Sequence, residues 1–320
     1  MNLLFIADSL DSFKTYKDST FAMMTQAQAR GHQVFACEVN TLHWKQGQKV
    51  SAQVVALELT PQGPHWYKIK GEPTGSIQAL HQFDAVLMRK DPPFDSEFFY
   101  ATHLLSQATR EGAKVFNNAQ ALREHPEKLA ILEFPQFISP TLVTRNAQDI
   151  KDFHQEHQDI ILKPLDGMGG TGIFRVPANG LNLGAIIETL NRYGQQTVMV
   201  QKFIPQIKDG DKRVLLIGGE VVPFCLARIP QGGEVRGNLA AGGKGVAQEL
   251  SPRDLEIAQT LAPILLKRGL MLVGLDIIGD CLTEINVTSP TGFQEITQQK
   301  GFNVAEMYIK AIENLQANWQ

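Results

Sequence analysis

The sequence predicts a mixed protein: an α/β unit with a parallel sheet comes first, and an α+β region with antiparallel strands follows. Three observations predict this. A strand, helix, strand succession opens the chain; paired apolar runs around a Gly218-Gly219 turn dominate its second half; and 320 residues exceed one comfortable core, at roughly 100 to 200 residues per domain.

Leu3 to Ala7 is a short apolar strand ending at Asp8, and Ser19 opens a helical stretch with apolar Phe21, Met23, Met24 and Ala27, closed by Gly31. VFACEV (34–39) is the next strand, so the opening is a βαβ unit with a right-handed crossover. Residues 42–69 alternate and are broken by Gly47 and Gly63, as edge strands or a hairpin excursion would be. AVLMRK (85–90) is a buried strand stopped by Pro92 and Pro93, and ligands usually sit at such a C-terminal edge. A helix over Ser96 to Glu111 and the strand KVFN (114–117) complete a unit of normal domain size.

From His125 the texture changes. EKLAILEF reads as helical, LVTR (142–145) as a strand, Asn146 as a helix cap, and IILKPL (160–165) as a strand buried on both faces. VMVQKF (198–203), RVLLI (213–217) and VVPFCLARI (221–229) carry antiparallel signals. Residues 231–245 are glycine-rich without hydrophobic period, the texture of an active-site lid or a disordered linker. Ser251-Pro252 starts a helix to about Lys267, and the strands of LVGLDIIGDCLTEIN follow.

Composition narrows the partners. Thirty Lys and Arg against 33 Asp and Glu leave a charge of −3, without the cation excess that nucleic acid or anionic lipid binding uses. Cys37, Cys225 and Cys281 are odd in number and far apart, which fits a reducing cytosol and three small buried hydrophobes better than a disulfide framework, a zinc site or a nucleophile. The start NLLFIAD has neither a basic region nor a cleavage site, and no apolar run approaches about 18 residues, so neither signal peptide nor membrane span is expected. The histidines, His125 among them, are isolated and read as structural or solvated.

Three segments carry chemistry. IILKPLDGMGGTGIFRV (160–176) sets Lys163 on a strand before Gly167, Gly169, Gly170 and Gly172, so inward-turned amides and a fixed ammonium can share one phosphate; a glycine-rich hairpin with a surface lysine is the alternative. LDIIGDCLTEIN (275–286) places Asp276, Glu284 and Asn286 in apolar strands, a hard-oxygen set suited to magnesium, against scattered acids on a solvated face. Arg228, Arg236 and Lys244 lie in or beside the 231–245 segment, where cations on a closing loop neutralise a transferring phosphoryl group. Asp211 and Arg213 enter a strand from KDGDKR and as a turn need no function.

In this order these features resemble the ATP-grasp ligases. More narrowly, MRKDPPFD (88–95), ILKPLDGMGG (161–170), KDGDKR (208–213), ARIPQGGEVRGNLAAGG (227–243) and GLDIIGDCLTEINVTSPTG (274–292) closely resemble the bacterial glutathione synthetase family, nearly end to end. The likeness departs mainly in 42–82 and at Phe203, where tyrosine is common, and phenylalanine keeps an apolar wall for a base. The resemblance implies an ATP-grasp fold preceded by a parallel-sheet pre-ATP-grasp domain: residues 1–122, a central subdomain 123–200 and a C-terminal subdomain 201–320, the ATP-grasp region spanning about 128–313.

For function the resemblance implies ATP-dependent joining of γ-glutamylcysteine and glycine through an acyl phosphate, in a cytoplasmic homo-oligomer, tetramer or dimer, with no nucleic acid or membrane partner. Lys128 and Lys163 match phosphate contacts; Gly167, Met168, Gly169 and Gly170 cover the phosphates; Lys202, Phe203 and Ile204 match the adenine hinge; and Asp211 matches a ribose-side contact. Arg213 and Arg228 approach phosphate or the activated carboxylate, with Lys163 the third catalytic candidate. Asp276, Glu284 and Asn286 match the ligands of magnesium, with manganese as the alternative ion. Another ATP-grasp ligase, D-alanine or glutamate-adding, and a catalytically silent nucleotide-binding regulator are the competing readings.

Alternation along 275–287 also predicts a register. An odd turn, most simply Gly279, Asp280 and Cys281, sets Asp276 opposite Glu284 and groups Leu275, Ile277, Ile285 and Val287 toward the core; a two-residue turn sets Asp276 opposite Thr283.

Overall fold

The structure, a computed structural model, describes residues 1–60, 63, 65–234, 236–239 and 242–317. The first unit holds β1 (Asn2–Ala7), α1 (Ser19–Ala29), β2 (Gln33–Glu38), β3 (Ser51–Leu59), β4 (Tyr67–Lys70), β5 (Ser76–Ala79), β6 (Ala85–Met88), α2 (Ser96–Arg110), β7 (Val115–Phe116) and α3 (Ala119–Glu124). Its sheet runs β4-β3-β2-β1-β6-β7, with β5 also on β3. β2, β1, β6 and β7 are parallel, whereas β3 is antiparallel to β2, β4 and β5. The excursion expected over 42–69 is therefore a hairpin on the sheet's edge, and its residues 61, 62 and 64 lie outside the described residues. α1 is capped by Asp18, whose carboxylate accepts from Phe21 N at 2.7 Å, rather than by Ser19, which is the first helical residue.

The second unit contains β8 (Thr141–Thr144), α4 (Ala147–His157), β9 (Ile160–Pro164), β10 (Phe174–Val176), α5 (Leu183–Asn191) and β11 (Val198–Lys202), with antiparallel order β10-β9-β11-β8. Asn146 caps α4 through Gln148 N as expected. EKLAILEF is not an α-helix but a short 3₁₀ segment, Leu129–Glu133, bracketed by Pro126 and Pro135, which leave no room for successive helical turns.

The third unit comprises β12 (Asp211–Ile217), β13 (Glu220–Ile229), β14 (Lys244–Glu249), α6 (Pro252–Lys267), β15 (Leu272–Ile278), β16 (Cys281–Asn286), α7 (Phe293–Lys300) and α8 (Val304–Ala317), in sheet order β14-β13-β12-β15-β16. Ser251 and Asp254 form a reciprocal capping box on α6. The glycine-rich segment ends sooner than expected, because Lys244 and Gly245 already pair with Ile229 and Arg228 in β14; within it, residues 235, 240 and 241 lie outside the described residues.

The first and third units share a core. Met23, Met24 and Ala27 of α1 and Leu3 and Phe5 of β1 belong to one buried cluster with Tyr308, Ile309 and Ile312 of α8. Gln294 at the start of α7 donates to Thr15 O and Asp18 O at 2.5 and 2.8 Å. Buried Asn117, just beyond β7, donates to Leu272 O and Val287 O and accepts from Leu272 N. Among the described residues no helix is long and apolar enough to cross a membrane.

Cys37 and Cys225 are buried, and burial pushes their thiols up to about 12 and about 11, the behaviour of core residues. Cys281 departs from expectation in being only half-buried, at the hairpin end. His125 is structural: Nδ1 donates to Ala121 O and Nε2 accepts from Arg268 Nη1.

Candidate active site

A cleft of about 480 Å³ opens between the three units. It is lined by Lys128, Lys163, Gly167, Met168, Gly169, Gly170, Lys202, Phe203, Ile204, Asp211, Arg213, Arg228, Asp276, Glu284 and Asn286, so chain folding brings these residues from distant segments to one place. Arg236 lines it too, whereas Lys244 is exposed at the start of β14 and does not.

Lys163 rises from β9 with its ammonium buried, and Nζ donates to Thr283 O at 3.2 Å. Burial pushes it down to about 8, with Glu284 opposing and Lys128 adding to the shift. Lys128 Nζ donates to Gly167 O at 2.5 Å and lies 3.3 Å from Glu284 Oε1, so one ammonium joins the glycine loop to β16. In that loop Gly169, Gly170 and Gly172 have φ of 62°, 83° and 73°, a backbone few side chains adopt. A Cβ on Gly170 would stand 2.7 Å from Asn238 Oδ1, and Arg236 Nη1 donates to Gly170 O at 3.4 Å, so the 231–245 segment touches the loop.

Four buried charges form a chain along one face of the third sheet. Asp211 pairs with Arg228, and Arg213 with Asp276, directly across the strands. Arg213 grips Asp276 through Nε at 2.6 Å and Nη2 at 3.2 Å, while Arg228 Nη2 meets Asp276 Oδ2 at 2.8 Å and Asp211 Oδ2 at 2.5 Å. Burial opposes the Asp276 charge, yet Arg213 and then Arg228 hold the carboxyl far below its usual range. Burial pushes Asp211 up to about 6 against Arg228, and its Oδ1 is buried without a hydrogen-bond partner.

The β15–β16 hairpin corrects the expected turn. Ile278 pairs with Cys281, so the turn is the two residues Gly279 and Asp280. Asp276 nonetheless faces Glu284, and Gly274 faces Asn286, because the register shifts at a bulge that leaves Thr283 unpaired. Leu275, Ile277, Leu282, Ile285 and Val287 face the core as the alternation requires.

Asn286 donates through Nδ2 to Gly274 O at 3.1 Å, which leaves its amide oxygen for another partner. Among the described residues no cluster of three His, Cys, Asp or Glu side chains has metal-ligand spacing. Two carboxylates and an amide are what magnesium takes when phosphates and water complete its shell, so Asp276, Glu284 and Asn286 fit that ion.

At the hinge, Lys202 N donates to Pro140 O and Phe203 N to Asp159 O, which leaves Ile204 N as this segment's remaining amide donor among the described residues. The Arg175 guanidinium lies 3.8 Å from the Phe203 ring centroid and is gripped by Asp159 at 3.0 and 2.6 Å.

Sequence reasoning missed the lining contributed by Lys14, Lys17, Asp18, Asp91 and Glu295. Glu295 Oε2 is buried without a partner, and burial raises its carboxyl pKa. Glu127 was missed too; burial and then Glu284 raise its carboxyl pKa. The signal available for Asp18 was its place three residues before Phe21 at a helix start.

Residues 1–123 match the family model described as prokaryotic glutathione synthetase, N-terminal domain, and residues 127–301 that of its ATP-grasp domain. A glutathione synthetase of Ralstonia nicotianae is 59% identical over 313 residues, covering 98% of this chain and 95% of that protein. One from Neisseria meningitidis serogroup B is 55% identical over 98% of both chains, and one from Vibrio parahaemolyticus 50% over 96% of both. Solved structures share the fold at low identity. D-cycloserine synthetase DcsG aligns with a TM-score of 0.66 at 13% identity, over 98% of this chain and 99% of that one. The ATP-grasp ligase PsnB, solved with minimal precursor, Mg and ADP, aligns with 0.61 at 17% identity, over 99% of this chain and 98% of that one.

Proposed function

Because the chain belongs to the prokaryotic glutathione synthetase family, we propose that it is an ATP-dependent carboxylate–amine ligase joining γ-glutamylcysteine to glycine, giving glutathione, ADP and phosphate. The observation that carries this reading is the single cleft in which a strand-borne lysine, a glycine loop and a carboxylate–amide set meet from distant parts of the chain.

A carboxylate is a poor acyl donor because oxide is a poor leaving group. Transfer of the γ-phosphoryl group makes an acyl phosphate; the glycine amine attacks its carbonyl carbon and phosphate departs. No covalent nucleophile from the protein is needed, and positioning with charge neutralisation carries the rate. In this reading Lys128 and Lys163 hold the phosphates under the Gly167–Gly170 loop with Met168, and Lys202, Phe203 and Ile204 receive the adenine. The unpartnered Oδ1 of Asp211 supports its reading as acceptor of a ribose hydroxyl. Arg213 and Arg228 bring positive charge to the phosphate or the activated carboxylate from positions fixed by Asp276 and Asp211.

Asp276, Glu284 and Asn286 would hold magnesium, and manganese shares the preference for oxygen ligands. When bound, the ion neutralises phosphate oxygens. The cleft lining also offers cations at Lys14 and Lys17 and carboxylates at Asp18 and Glu295, complementary to a dipeptide with an ammonium and two carboxylates. The 231–245 segment, already in contact with the glycine loop through Arg236, is read as the lid that keeps water from the acyl phosphate.

The units fall at 1–122, 123–200 and 201–320 in this reading. Three unpaired cysteines support a reducing cytoplasm, and family membership supports a homo-oligomer, tetramer or dimer, which sedimentation decides. The central experiment is phosphate release with γ-glutamylcysteine and glycine. Turnover with that pair, and none with D-alanine or with glutamate as the added amine, is expected. Faster turnover with either alternative amine, or nucleotide binding without phosphate release, overturns the assignment.

A further inference from the structure

Glu127 lines the cleft one residue before Lys128. Its Oε1 accepts three hydrogen bonds from the segment after Asn286: Val287 N at 2.9 Å, Thr288 N at 3.1 Å and Thr288 Oγ1 at 2.8 Å. Its own carbonyl accepts from Ile285 N at 2.9 Å. One residue thereby holds main-chain amides on both sides of Asn286. Its neighbour Lys128 meanwhile reaches Gly167 O and Glu284 Oε1. The 127–128 dipeptide is thus the joint at which the glycine loop and the end of β16 meet.

Carboxylates that take several N–H donors without touching a ligand fix the geometry of the groups that do. We propose that Glu127 is a positioning residue: it holds the backbone around Asn286 so that Glu284 and Asn286 present their oxygens at a set distance from the glycine loop. The inference rests on the reading of those two residues as magnesium ligands. Loss of such an outer partner costs about 10- to 100-fold in metal affinity in comparable sites.

The test uses the full chain and calorimetry, titrating Mg²⁺ into ADP-saturated protein and, separately, ADP into protein in EDTA. Glu127→Ala is expected to weaken Mg²⁺ binding by about 10- to 100-fold without weakening ADP binding in EDTA. Glu127→Gln keeps an oxygen that accepts from the same N–H groups and is expected to restore most of the loss. A purely structural strut would lower both affinities together. Unchanged Mg²⁺ affinity in Glu127→Ala, equal losses in Ala and Gln, or parallel loss of ADP binding in EDTA each overturns the proposal. Should Glu127→Ala fail to fold, Thr288→Val removes the hydroxyl donor alone, and unchanged Mg²⁺ affinity there overturns it as well. Glu284→Ala separates the two levels: with wild-type Mg²⁺ affinity in that variant the metal site itself is misassigned.

Discussion

Asp276 and Glu284 stand directly across from one another on β15 and β16, and Thr283 lies outside the ladder between them and the hairpin turn. Leu282 and Glu284, two positions apart, would share a face in a regular strand. The bulge instead sends Leu282 to the core and Glu284 to the cleft. Thr283 is also tied in: its hydroxyl donates to Asp276 O at 3.1 Å and its carbonyl receives Lys163 Nζ.

Deleting Thr283 tests that double role. The pairs Ile277–Leu282 and Asp276–Glu284 would become consecutive, so the face shared by Asp276 and Glu284 should survive while Lys163 loses its carbonyl anchor. Hydrogen bonds to charged groups contribute about 1.5–3 kcal/mol, so ADP affinity is expected to fall by about tenfold or more with Mg²⁺ affinity little changed. Calorimetry of both ligands checks it, and equal loss of both counts against this account of the bulge.

Lys163→Ala and Glu284→Ala should each lower turnover by about 10²–10³-fold or more, the range for removing one electrostatic stabiliser, while thermal unfolding stays cooperative. Near wild-type phosphate release at saturating Mg²⁺ in either variant contradicts the assigned site.

The Lys163 ammonium is pushed down to about 8 by burial, so the proposed role of this lysine at the phosphates predicts proton-linked nucleotide binding. With the protonated lysine as the proposed polyphosphate contact, affinity should drop as pH rises through about 8, by about tenfold between pH 7 and 9, and Lys163→Ala should flatten the profile. Folding shows the opposite slope. Above about 8 the unfolded chain still holds this proton and the native one does not, so this group's contribution makes the ligand-free protein more stable as pH rises from there toward the ordinary lysine value. A wild-type ADP affinity flat across pH 7–9 contradicts the buried, depressed lysine.

Asp276→Asn removes the carboxylate on which Arg213 and Arg228 converge, with side-chain exposures of 4%, 8% and 7% for the three. Breaking such a buried pair costs about 3–5 kcal/mol, because the cations stay buried without their partner. Urea unfolding measures this directly, and a loss below about 1 kcal/mol would mean that solvent reaches the arginines more readily than the structure implies.

Amide hydrogen exchange over residues 236–239 should slow when ADP, Mg²⁺ and the dipeptide are added together. Equal, strong protection in the free protein reduces this segment to a connector.

Much of the site was legible because charges in apolar strands have few ordinary explanations. Lys163 and Asp276 stand among aliphatic neighbours in their strands, whereas Arg213 looked like part of a turn and Arg228 like a cation beside a closing loop, so these two entered the site through the family resemblance. The bulge was not legible, since its unpaired carbonyl is matched by a lysine 120 residues away rather than by a neighbour in sequence. Lys14, Lys17, Asp18, Glu127 and Glu295 were missed for a related reason: they sit in turns and at helix ends, where charged residues are common, and only tertiary folding turns them inward. The 129–133 segment misled because its apolar spacing is helical, while prolines on either side hold it to a single short turn.

The packing of α1 against α8 also sets an order of assembly on the ribosome. Met23 and Met24 are synthesised early, yet the Ile309 and Ile312 that share their core emerge only as the chain nears its end. At about 5–20 residues per second that apolar face waits on the order of tens of seconds for its cover. A chain that stops before α8 therefore carries an exposed methionine patch, the kind of uncovered apolar surface that aggregates or is held by chaperones.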